Sequence, residues 1–214
     1  MSVKLFLLGS PGSGKSTVAR YIESLARDEH WSFQWINDYA ILREMFEKDQ
    51  QKGEGRFKPA CHGGFDVLKF EVFDEALQDL EQRSELQISE GAEPGIVLIE
   101  FARNDYQQAL QQFSHGFLQD AYFLYLDTDI DICKQRIDAR VAKPETENDY
   151  YVSDYIFQAY YDHANGQRLS NILTEYSIDR ERVKILENNE ELKMAAPNIE
   201  EFVRPIICAV ASAV

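Results

Sequence analysis

At 214 residues, with 44% hydrophobic and 28% charged positions, the chain has the length and composition of one sizeable α/β domain and not of a disordered polymer. Basic residues number 22 against 37 acidic, and the net charge of −15 repels polyanions. That argues against nucleic acid or an anionic membrane surface as partners, while a few local cations can still hold a small phosphorylated ligand. Cys61, Cys133 and Cys208 are far apart with no C-x-x-C, and no apolar run approaches the roughly 20 residues of a membrane span. Free thiols in a reducing cytoplasm are expected. The run 3–8 is too short for a signal core and has no cleavage pattern after it. Cys61-His62 is half a metal site without a second pair at ligand spacing.

Residues 3–8 predict a buried strand, and 17–26 predict a helix with Val18, Ile22, Leu25 and Ala26 on its apolar face. Between them Gly9-Ser10-Pro11-Gly12-Ser13-Gly14-Lys15-Ser16, with Thr17 behind, satisfies G-x-x-x-x-G-K-[ST] at every fixed position. Glycines let successive N–H groups converge on one concavity, to which the following helix adds the positive end of its dipole. Lys15 then reaches the β- and γ-phosphates of a nucleoside triphosphate, and the Ser16 hydroxyl sits on Mg²⁺.

A second strand is expected at 32–36 and a helix at 39–48. Asp38 between them is either the N-cap of that helix or a carboxylate at the ligand end of a parallel strand; the two roles are compatible. Residues 50–64, with four glycines and a proline, predict a flexible loop, and 65–82 a strongly apolar helix. The β-branched run 96–100 closes on Glu100, which can hold the Mg²⁺ shell or orient the attacking group; otherwise it is an exposed terminal acid. Arg103 follows in the loop before a helix at 105–113. There it can clamp a phosphate or carboxylate of the acceptor, or pair with Asp105 or Glu100 at the surface.

A fourth strand is expected at 121–126 and a helix at 130–141, on which Arg136 and Arg140 share one face. They pair with Asp129, Asp131 or Asp138, or point at phosphates. Residues 152–163 resume helical spacing, with Tyr151, Tyr155, Ile156, Ala159 and Tyr160 as packing positions, one of which could stack on a nucleobase. Arg168 falls at a short helix through 173. A fifth strand at 183–186, the turn Asn188-Asn189 and a last helix from Pro197 complete the chain.

Five strands alternating with helices predict one doubly wound parallel sheet. Together with the phosphate loop, this resembles the nucleoside monophosphate kinase-like branch of P-loop proteins, which includes adenylate, shikimate and gluconate kinases. Glu100-Phe101-Ala102-Arg103 resembles a shortened form of the D-G-F-P-R segment of adenylate kinases. The resemblance implies a five-stranded α/β fold in one domain, with a helical substrate-side segment at 38–82 and a lid-like segment at 140–165. It further implies ATP on residues Gly9 to Thr17, the base beside Asn188, and Arg140 and Arg168 in the place of lid arginines. Between Lys143 and Gln167 the chain offers Lys143 and five acids, where short adenylate-type kinases carry several arginines.

The expectation is an ATP- and Mg²⁺-dependent phosphotransferase moving the γ-phosphoryl to a hydroxyl or phosphate of a small molecule. Lys15, Asp38, Glu100, Arg103 and Arg140 are its catalytic candidates, with Ser16 and Glu100 toward the metal. Other classes are a nucleotide-gated ATPase or switch without a small acceptor, and a degenerate binding module; no N-K-x-D guanine signature is present. The acceptor is unnamed by the sequence, and a homodimer is left open.

Overall fold

The computed structural model describes residues 2–60, 64–91, 93–142, 157 and 176–211. In chain order the strands are β1 (Ser2–Gly9), β2 (Ser32–Asn37), β3 (Phe57–Pro59), β4 (Phe65–Val67), β5 (Gly95–Phe101), β6 (Tyr122–Asp127) and β7 (Val183–Glu187). The helices are α1 (Lys15–Asp28), α2 (Asp38–Lys52), α3 (Glu71–Glu90), α4 (Tyr106–Leu110), α5 (His115–Gln119), α6 (Ile130–Ala142) and α7 (Leu192–Ala211).

Five strands form one parallel sheet in the order β2-β5-β1-β6-β7, flanked by helices as expected. The central strands are buried on both faces, which is why β5 carries no polar alternation: every residue from Gly95 to Phe101 is buried. Alternate side chains serve opposite layers. Phe6, Leu8, Val97, Ile99, Phe101, Phe123 and Tyr125 pack with α2, α3, α4 and α5, and Leu5, Leu7, Ile96, Leu98, Leu124 and Leu126 pack with α1 and α7. Phe6 anchors the first layer, stacked on Phe123 at 4.8 Å and edge-on to Phe113 at 5.3 Å. The chain leaves β1 for β2 on one side and reaches β6 on the other, so a crevice opens beyond the carboxyl end of β1.

The region between β2 and β5 departs most from expectation. Helix α2 begins at Asp38 and runs to Lys52, and its N-cap is Asn37, whose Oδ1 accepts the Ala40 N–H at 2.9 Å. Asp38 is therefore the first helical residue and not the cap. Part of the predicted 50–64 loop, and the start of the predicted 65–82 helix, form the antiparallel pair β3–β4. Buried Asp49 accepts the N–H groups of Arg56 and Phe57, which folds the chain back along α2. Phe65 then stacks on Phe46 at 5.1 Å. Tertiary burial thus outweighs the helical spacing of that stretch, and α3 starts only at Glu71.

Predicted helix 105–113 is the shorter α4, capped by Asp105, and a separate short helix, α5, capped by Ser114, follows it. Helix α7 starts at Leu192, before Pro197, and holds both Pro197 and Pro205, because Ala195, Ile199, Val203 and Ile207 are buried in the layer with α1. The expected lid at 140–165 lies outside the described residues except for 140–142 and Phe157. So do Cys61, His62, the tyrosine-rich helix at 152–163 and Arg168. Cys133 is a buried free thiol. Among the described residues no helix is long and apolar enough to cross a membrane.

Candidate phosphate-binding cleft

The loop after β1 is shaped by close packing. Gly12 has φ +80°, and a Cβ there would stand 2.3 Å from the Cys133 carbonyl of α6. Gly14 has φ +95° and would meet the Asn188 amide at 2.6 Å. Only glycine satisfies both the left-handed backbone and the lack of space. The loop closes through Ser13 N–H on the Ser10 carbonyl at 3.1 Å. Gly14 caps α1 with its backbone alone, and no acid occupies the first turn, so the positive end of that helix is unopposed by its own side chains.

Three donors converge on the Ser13 carbonyl from behind: Asn188 Nδ2 at 2.6 Å, Thr128 Oγ1 at 3.3 Å and Arg136 Nη1 at 3.5 Å. They tie the loop to the carboxyl ends of β6 and β7. On the other flank the Gly9 N–H donates to the Tyr106 hydroxyl at 2.9 Å. Burial raises the Tyr106 phenol far above the ordinary tyrosine range, so this hydroxyl stays neutral.

Lys15 is buried, and its Nζ donates to the Gly9 and Ser10 carbonyls at 2.9 and 3.0 Å. Burial lowers its pKa from the ordinary value, while Glu100 and Asp38 pull it back up. Glu100 is not an exposed strand tip: it is buried, with Oε1 4.0 Å from Lys15 Nζ and Oε2 accepting the Trp35 indole N–H at 2.9 Å. Desolvation raises the Glu100 pKa, and the Lys15 ammonium opposes that rise.

Arg103 is no surface residue either. It is 2% exposed and pairs with Asp38, not with Glu100 or Asp105. It also donates to the Phe73 carbonyl at 2.8 Å and the Ala102 carbonyl at 2.6 Å, and lies over the Phe73 ring at 4.8 Å. Arg136 binds the carbonyls of Ser13 and Glu190 in place of the acids expected beside it.

A cavity of about 270 Å³ gathers most of these groups. Its walls include Pro11, Gly12, Gly14, Lys15, Ser16 and Thr17 from the loop, Asp38 and Glu100, and Arg136 and Arg140 from α6. Gly9, Ser10 and Ser13 of the loop do not line this cavity. Arg103 faces a separate shallow hollow with Glu71, Asp74 and Asp105, and Asn188 a third one between α6 and the start of α7. Sequence reasoning did not single out Arg20, Trp35, Asn37 and Tyr39, which also line the cleft, or Tyr106 beneath it. The position of Trp35 two residues before the end of β2 was the available signal for it.

The donor set fits a polyphosphate with a hard cation. Four cations, Lys15, Arg20, Arg136 and Arg140, face two carboxylates in a protein whose net charge is −15. Among the described residues no three His, Cys, Asp or Glu side chains cluster as an all-protein metal cage. Ser16 and Glu100 both line the cavity, and a few such oxygen atoms are what a cation held largely through phosphates and water needs.

Comparison with known proteins places the chain in a family. A sugar kinase from Janibacter sp. HTCC2649 superimposes with a TM-score of 0.57 at 14% identity, covering 95% of each chain. A gluconokinase from Sinorhizobium meliloti 1021 gives 0.57 at 12% identity, covering 99% of this chain and 97% of that one. Such identities establish a shared fold. No curated protein matches the sequence. A profile of the AAA domain family matches residues 5–157, the phosphate loop and the sheet around it included, and the chain belongs to that family of P-loop proteins.

Proposed function

We propose that the protein is an ATP-dependent small-molecule kinase, acting as a single domain. The observation that carries this reading is that the phosphate loop and two carboxylates, Asp38 and Glu100, line one small cavity. A γ-phosphoryl held by Lys15 and the loop amides would face an acceptor hydroxyl lying against Asp38. The similar folds of a sugar kinase and a gluconokinase support an acceptor of that kind.

Ser16 and Glu100 would hold Mg²⁺, which supplies charge neutralisation of the triphosphate. Lys15 would leave the Gly9 and Ser10 carbonyls for the phosphates, and Arg136 and Arg140 would face the transferring group from α6. Asp38, kept in place by Arg103, would accept or orient the acceptor proton. Arg103 itself would act on the acceptor through Asp38, since its guanidinium is already committed. The hollow beside Asn188, between α6 and α7, would take the nucleobase.

The test is a screen of phosphoryl transfer from γ-labelled ATP to sugars, sugar acids, polyols and nucleosides with Mg²⁺ present. Labelled acceptor supports the kinase. Labelled inorganic phosphate alone supports a nucleotide-gated ATPase, and no ATP binding by calorimetry removes both.

A further inference from the structure

We propose that Trp35 is a positioning residue for Glu100, holding one carboxylate oxygen so that the other faces Lys15 and the cleft. This rests on the kinase reading for its consequence in turnover, but not for its geometry.

The arrangement follows from strand register. On the edge strand β2, Trp35 stands opposite Leu98 of β5, and Asn37 stands opposite Glu100. Side chains alternate, so Leu98 and Glu100 point to the same face, the one carrying α1 and the phosphate loop. The Trp35 ring packs on that face, and Glu100 is its diagonal neighbour, within reach of a long side chain. The indole N–H meets Oε2 at 2.9 Å.

Among the described residues this is the one hydrogen bond that Glu100 accepts. Lys15 is 4.0 Å away, within ion-pair range, and its own hydrogen bonds go to the Gly9 and Ser10 carbonyls. A buried carboxylate held by one donor has its orientation set by that donor. Without it Oε2 is an orphan, and the carboxylate can rotate about its terminal torsion, which has no steep preference of its own. Trp35 also lines the cleft, so its indole senses what enters. A strand residue needed only for packing would place an aliphatic or phenyl group here.

Trp35→Phe keeps an aromatic ring, though a smaller one, and removes the donor, and Trp35→His restores a ring N–H. In the Trp31→Phe background, which leaves Trp35 as the only tryptophan, the indole ¹H–¹⁵N resonance of the full chain should lie downfield and exchange slowly. It should move upfield and exchange faster in Glu100→Ala, and shift on addition of Mg²⁺-ADP. In the screen above, Trp35→Phe should lower kcat about tenfold and raise the Mg²⁺ midpoint, with the ATP KM changed less than twofold and His restoring part of kcat. An indole resonance indifferent to Glu100→Ala overturns the proposal, as does a Trp35→Phe protein with wild-type kcat and Mg²⁺ dependence. Should the wild type transfer phosphoryl to nothing, the kinase reading falls alone, and the two resonance measurements decide the role of Trp35.

Discussion

Arg103, two residues beyond β5, donates through Nη1 to the carboxylate of Asp38 in the first turn of α2, and a second nitrogen of the same guanidinium holds the Phe73 carbonyl of α3. One guanidinium therefore ties three elements together beneath the cleft. Two residues expected to act separately on substrate are a single buried unit. Arg103→Ala leaves Asp38 facing the cleft without its counter-ion and should cost about 3–5 kcal/mol of stability, read by urea denaturation. Loss below 1 kcal/mol would mean that the pair contributes nothing to the fold. Arg103→Lys keeps the charge but not the fork and should fall between.

Lys15 and Glu100 are buried charges with opposite displacements. The Glu100 pKa is raised above 4.5, so stability falls as pH rises through the folded value, where the folded protein keeps a proton that the unfolded chain has lost. The Lys15 pKa is lowered below 10.5, so stability climbs again between its folded value and 10.5. Near neutrality both charged forms are penalised. The double substitution Lys15→Met with Glu100→Gln should stabilise the ligand-free protein there by about 1–4 kcal/mol while abolishing ATP binding. Its advantage should shrink toward pH 4.5 and toward pH 10.5, and a gain independent of pH would refute the assignment.

Gly12 is where the loop touches α6. Gly12→Ala drives a methyl group into the Cys133 carbonyl at a positive φ, so either the loop or the helix must shift. Calorimetry should show ATP affinity reduced at least tenfold, about 1.4 kcal/mol or more. Unchanged affinity would show that the loop can open without loss of its grip.

Two hydroxyls near the loop should behave oppositely. Tyr106→Phe strands the Gly9 N–H in the core and should cost about 1–3 kcal/mol in thermal or urea unfolding. Ser13 Oγ is itself buried with no hydrogen-bond partner among the described residues, so Ser13→Ala should be neutral or slightly stabilising. Equal losses from both would contradict the hydrogen-bond assignments.

The order of strands and helices, and the phosphate loop itself, were legible because each is a local property. Apolar run lengths, the 3.6-residue spacing of α1 and the glycines at 9, 12 and 14 depend on neighbours in the chain. Asp38, Glu100 and Arg103 could be placed near the cleft for the same reason, since each stands at or near the end of a strand. The pair β3–β4 was not legible. Its pairing is enforced by Asp49 and by phenylalanine rings in contact from three elements, and the glycine-rich composition there spells a loop.

The sequence alone determined that a G-x-x-x-x-G-K-[ST] loop follows the first strand of a parallel sheet, because that motif is contained in consecutive residues. Only the tertiary structure decided which partner each charge has. Arg103 faces Asp38, Trp35 faces Glu100, and Asn188 braces Ser13, across separations of 65, 65 and 175 residues. Such contacts are set by sheet order and register, and nothing in the local spacing of residues encodes them.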